Sequence, residues 1–139
     1  MKANGLAVKP RRRLVRTTDS EHDLQVFPNL CRNVIPARPN MVWVADIKYI
    51  RLAAGFCYLA AILAACSRMV VGYAISRDID TPLALAAVKA AIRNRAPPRG
   101  CVHHSDRGCQ YASASYRKEL RESGLVGSMG AVANSYDNA

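Results

Sequence analysis

The chain has 139 residues, a hydrophobic fraction of 50%, and 20 Lys+Arg against 10 Asp+Glu, for a formal net charge of +10. That is apolar material for one core of ordinary domain size, which argues against wholesale disorder. No apolar run approaches the ~18 residues of a membrane span, and no apolar leader opens the sequence, so neither membrane insertion nor export is expected.

The basic excess points to a polyanionic partner, with a merely solubilising surface as the alternative. Half of it lies in residues 1–40. This stretch holds the cluster KPRRR, with Lys9, Arg11, Arg12 and Arg13, and is interrupted by Pro10, Pro28, Pro36 and Pro39. No helical apolar period survives there. Residues 1–37 therefore read as an extended arm, with at most a helical turn over 18–24. It is either a solvated linker or a segment that tracks DNA.

The texture changes at Met41. Residues 41–50 are rich in β-branched and aromatic side chains and predict a strand. Ala53, Ala54 and Gly55 mark a turn. Residues 56–66 predict a second strand, apolar on both faces and so central in its sheet, and 69–75 a third. Short links between the three imply an antiparallel meander. A helix follows, with Thr81 as the expected N-cap, Pro82 as its first helical residue, and Leu85, Val88 and Ile92 as its apolar stripe. Arg93 and Arg95 suit its C-terminal end, and Pro97 and Pro98 stop it. Residues 101–103 predict a fourth strand. Ser113 caps a second helix that ends at Gly124, and 125–129 predict a fifth strand. The order βββαβαβ argues for a layered α/β domain.

The five cysteines form no C-x-x-C pair. Cys57, Cys66 and Cys101 sit in apolar runs and are expected to be small buried hydrophobes, in a reducing, cytoplasmic setting. Three histidines without such a pair support no zinc finger, and adjacent His103 and His104 would point to opposite strand faces.

Two aspartates carry chemical interest. Asp46 lies mid-strand in an apolar run, where an unpaired carboxylate costs several kcal/mol. Lys48, two residues on, shares its face and is one compensating partner; a hard divalent cation is the other. Asp106 lies in HHSDRGCQ (103–110), just past a predicted strand, where α/β sheets gather their sites. Its bland alternative is an Asx turn.

These aspartates sit in four blocks: RPNMVWVADIKYI (38–50), SRMVVG (67–72), HHSDRGCQYAS (103–113) and SYDNA (135–139). In this order they resemble the integrase core of bacterial insertion-sequence transposases of the DDE type. The resemblance implies a ribonuclease-H-like mixed sheet flanked by helices over residues 38–139, with the arm following a mostly absent helix-turn-helix region. It implies two-metal phosphoryl transfer on DNA, with Mg²⁺ or Mn²⁺ held by three carboxylates. Asp46 matches the first and Asp106 the second. At the family's spacing the third, a Glu, falls just beyond Ala139. The final catalytic helix is therefore expected to be missing and the metal site incomplete.

DNA contacts are expected from Lys9, Arg11, Arg12, Arg13, Lys48, Arg107 and Asn138. Ala64 stands where the family usually has an acid, and 130–133 are neutral where it usually has basic residues, which would weaken phosphate contacts. The expectation is a truncated, inactive copy of a DNA-transposing enzyme, able to form homo-oligomers or to associate with full-length transposase. Two alternatives stay open. One is a non-enzymatic DNA-binding or inhibitory fragment. The other is a different ribonuclease-H-like nuclease using Asp46, Asp106 and Asp137.

Overall fold

The computed structural model describes residues 26–32 and 34–130. The basic cluster at 9–13, the helical turn at 18–24, Asp137 and Asn138 lie outside the described residues. The chain forms β1 (Val42–Leu52), β2 (Gly55–Ala64), β3 (Val70–Ser76), α1 (Thr81–Arg95), β4 (Val102–Ser105), α2 (Cys109–Ala112), α3 (Ala114–Glu122) and β5 (Val126–Met129). The strands make one mixed sheet in the order β3-β2-β1-β4-β5. β1–β2 and β2–β3 are antiparallel, whereas β1–β4 and β4–β5 are parallel. The meander, the crossovers and the ribonuclease-H-like class match the expectation. No helix among the described residues is long and apolar enough to cross a membrane.

Strand alternation divides the sheet into two faces. Trp43, Ala45 and Ile47 of β1 and Tyr58, Ala60, Ile62 and Ala64 of β2 turn into the core, which α1 and α3 close. Their neighbours Asp46, Leu59, Ala61 and Tyr73 line the other face and are half-buried or exposed.

Three local expectations are corrected. The N-cap of α1 is Asp80, whose carboxylate accepts from the Leu83 N–H at 3.0 Å, and Thr81 is the first helical residue. The helix seats itself through Leu83, Ala84, Ala87, Val88 and Ala91, whereas Leu85 and Ile92 flank that stripe and are only partly buried. The small side chains let the helix backbone press onto β3: a Cβ on Gly72 would stand 2.4 Å from the Ala91 nitrogen and 2.6 Å from the Ala87 oxygen. Finally, Cys66 lies in the turn after β2 and is exposed, while Cys57 and Cys101 are buried as expected.

The described part of the arm has a defined seat. Phe27 lies against Gly127, where a Cβ would come within 2.4 Å of its ring, and beneath the Arg117 guanidinium of α3. The Pro28 carbonyl accepts from the Met129 N–H at 3.3 Å, and the Leu30 N–H donates to Ser128 Oγ at 2.8 Å. Gly127 and Ser128 point to opposite faces of β5. The segment therefore straps around the β5 edge from the α3 side to the open face, covering an edge that would otherwise offer unpaired backbone groups.

Candidate functional site

The parallel pairing of β1 with β4 sets Val44 beside His104. Two residues further along each chain come Asp46 and Asp106, so the same register brings the two carboxylates to neighbouring positions. Asp46 stays within β1; Asp106 sits just past the carboxyl end of β4. Both are partly buried.

Asp46 is less buried than its apolar neighbours suggest, with 30% of its side chain exposed, because it belongs to the face that α1 does not cover. Its Oδ2 pairs with Lys48 Nζ at 2.8 Å, and its Oδ1 accepts from the Ile47 N–H at 2.9 Å. The hydrogen bond and the charge of Asp46 hold the Lys48 ammonium above its ordinary pKa. Asp106 Oδ1 accepts from the Gly108 N–H at 2.7 Å, an Asx turn that aims the carboxylate. Burial raises the Asp106 pKa, the Gly108 N–H opposes that, and the nearby Asp46 charge raises it again. The ion-pair and Asx-turn readings thus describe real contacts at the same place that could hold a cation.

The donor chemistry fits a hard divalent ion. Two carboxylates, one desolvated and repelled by the other, are relieved by positive charge between them, and both offer oxygen ligands. The fit is partial: among the described residues no group of three His, Cys, Asp or Glu side chains could hold a metal. Arg107 lies at the same strand end, where its Nε donates to the Gly130 carbonyl at 3.0 Å and ties the loop after β4 to the end of β5.

Behind the carboxylates is a buried aromatic group that the sequence reading did not single out. Tyr116 Oη lies 2.6 Å from His103 Nε2, and the His103, Tyr111 and Tyr116 rings pack with centroids 5.3–6.1 Å apart. Burial lowers the His103 pKa to about 4. Burial raises the Tyr111 pKa, with smaller contributions from Tyr116, Asp106 and Asp46. His104 points the other way, as expected from alternation, and its Nδ1 lies 2.9 Å from Ser128 Oγ. A usable sequence signal existed: Tyr111 and Tyr116 begin the segment that must fold back over β4, and His103 is the inward residue of that strand.

Residues 36–135 match the integrase core domain family. The IS600 uncharacterized 31 kDa protein of Shigella sonnei is 42% identical over 135 residues, which cover 96% of this chain and 50% of that protein. The transposase for insertion sequence element IS629 of Shigella sonnei is 39% identical over 139 residues, covering 100% of this chain and 47% of the relative. Transposase InsF for insertion sequence IS3A of Escherichia coli K12 is 36% identical over 140 residues, covering 100% and 49%. The chain spans about half the length of these curated relatives. Among solved structures, the simian T-cell lymphotropic virus intasome, in complex with PP2A regulatory subunit B56 gamma, aligns with a TM-score of 0.66 at 17% identity. That match covers 88% of this chain and 42% of the other. The HTLV-2 integrase catalytic core in complex with magnesium aligns with a TM-score of 0.60 at 16% identity, covering 68% and 62%.

The fold is thus that of the retroviral integrase cores, a ribonuclease-H-like mixed sheet with helices. The chain belongs to the integrase core family of insertion-sequence transposases.

Proposed function

We propose that this chain supplies the first two carboxylates, Asp46 and Asp106, of a metal-assisted site for DNA strand cleavage and transfer during transposition. The observation that carries the reading is the β1–β4 register, which pairs Val44 with His104, each two residues before one of the aspartates. The raised pKa of Asp106, caused mainly by burial and in part by Asp46, supports a cation between them. When bound, Mg²⁺ or Mn²⁺ would supply Lewis-acid activation of the attacking oxygen and stabilise the leaving one, with two ions in the complete site. The Asx turn at Gly108 fixes the direction of the Asp106 carboxylate. Lys48 neutralises Asp46 while no cation is held, and its exposed ammonium is then placed to meet a DNA phosphate.

Arg107, by anchoring the loop after β4, keeps Asp106 at its strand end. Lys9, Arg11, Arg12, Arg13 and Asn138 are proposed as further DNA contacts. A third carboxylate completes the cage in this reading.

A second reading has its own support in the absence of a three-donor cluster among the described residues. The chain would then bind DNA, or associate with a full-length transposase, without catalysis. Incubation of the purified chain with supercoiled DNA and Mg²⁺ or Mn²⁺ separates the two. Metal-dependent nicking abolished by Asp46→Ala supports the catalytic reading. Salt-sensitive DNA binding that ignores metal, without nicking, supports the second.

A further inference from the structure

β4 and β5 begin at the end of the sheet opposite the carboxylates, and that end is basic. Two clefts open there, on either side of Arg99. The larger, about 470 Å³, lies between α3, the start of β5 and the strap; Arg99, Arg117 and Arg121 rim it above Phe27 and Leu125. The smaller, about 360 Å³, lies before β1 and β4 and is lined by Arg38 and Arg99 with Pro39 and Pro98.

Arg99 is held at the junction by construction. Its side chain lies on Gly124, where a Cβ would stand 2.9 Å from Arg99 Cγ. The backbone beside it is pinned by the Gly100 N–H donating to the Gly124 carbonyl at 2.9 Å. Gly124, with φ +73, therefore both ends α3 and provides the seat for Arg99. Arg38, Arg99 and Arg121 are exposed, and no ion pair of theirs occurs among the described residues. The acids of α3 are directed elsewhere: Glu122 lies 3.8 Å from Lys118, and Glu119 accepts from Ser123 Oγ at 3.5 Å. Arg117 is engaged over the Phe27 ring, 5.7 Å from its centroid, and forms one wall of the cleft.

We propose that this basic end is a second DNA-binding surface, which grips the phosphate backbone of a duplex through Arg38, Arg99 and Arg121. Guanidinium groups suit phosphate oxygens geometrically, and backbone contacts of this kind position a duplex without reading its sequence. The four residues of β4 separate this end from the carboxylates by roughly 13 Å at about 3.3 Å per residue. The phosphates held here are therefore different from the one presented to Asp46 and Asp106. The surface rests on the DNA-handling reading above and extends it: it holds the stretch of duplex that flanks the phosphate presented to the carboxylates.

The test uses the full chain with a duplex oligonucleotide, read as the slope of log affinity against log salt in EDTA. Arg99→Gln/Arg121→Gln is expected to flatten the slope by about one unit per arginine. Arg99→Lys/Arg121→Lys is expected to restore most of it. In the unmodified chain, duplex is expected to protect Arg99 and Arg121 from phenylglyoxal, a measurement that needs no variant to fold. An unchanged slope with unprotected arginines, in a protein that still binds duplex, overturns this surface alone. Failure of the unmodified chain to bind duplex at all overturns the DNA-handling reading, and this surface with it.

Discussion

The two faces of the β1–β2 hairpin are built from alternate residues of the same strands, yet they do different work. The inward set, Trp43, Ala45, Ile47, Ala60 and Ile62, is almost wholly removed from solvent and holds the domain together. The outward set, with Asp46, Lys48, Leu59 and Ala61 in cross-strand register, stays partly or fully open to solvent. A two-residue period thus separates stability from chemistry within one strand, and a one-residue slip would exchange them. Substitutions on the two faces should fail in different ways.

The largest effect is expected on the inward face. Trp43 is fully buried, and its indole N–H donates to Asn40 Oδ1 at 3.0 Å. Trp43→Ala should cost about 3–5 kcal/mol, most of the stability of a small domain, measured by urea denaturation. The second effect also belongs to the covered side. His103 is buried neutral, with its pKa lowered from 6.5 to about 4. The Tyr116 hydroxyl lies against its Nε2 and the Tyr111 ring packs beside it, the charge of His104 adds a smaller push in the same direction as burial, and none of these supplies a compensating anion. The unfolded chain takes up a proton on this ring below pH 6.5 and the folded chain does not. Stability should therefore be flat above that pH and fall as pH drops from 6.5 towards 4, by about 3 kcal/mol at 1.36 kcal/mol per unit. His103→Gln should flatten this window in a series of melts at different pH.

The third prediction probes the seat of α1. Gly72→Val must displace the helix backbone, and overpacking of this kind costs about 1–3 kcal/mol. Thermal melting should show the loss. Ala61→Val, one strand away on the open face, should change little.

Much of this organisation was legible in the sequence. The β-branched run of β1, the turn at Gly55 and the proline stop after α1 each act locally, so local signals sufficed to give the element order. The motif around Asp106 likewise placed one carboxylate at a strand end. What was not legible depends on what covers what. The exposure of Asp46 is set by α1 lying on the opposite face, which no property of residues 41–50 encodes. The strap reaches β5 through the Pro28 carbonyl and the Leu30 N–H, and main-chain groups of the strap leave no mark in its own sequence. α2 has four residues after an Asx turn, too few for an apolar period. The Thr81 cap was displaced by one residue because Asp80, extended at φ −143, offers the acceptor first.

The smallest stability effect should carry the most functional information. Asp46→Asn removes an ion pair to a Lys48 side chain that is 69% exposed, an interaction of about 0–1 kcal/mol at most. It also removes the like charge that acts on Asp106, and that relief works in the opposite sense. The two changes should nearly cancel, leaving the melting temperature without metal close to that of the unmodified chain. Added Mg²⁺ should separate the proteins. A cation bound only by the folded state stabilises it by RT ln(1 + [L]/Kd), so the unmodified chain should melt progressively higher as Mg²⁺ rises, and the Asn variant should not. An equal response in both proteins would place the cation elsewhere than between Asp46 and Asp106. A response confined to the unmodified chain would show that the open face binds metal through two carboxylates, whether or not a third joins them.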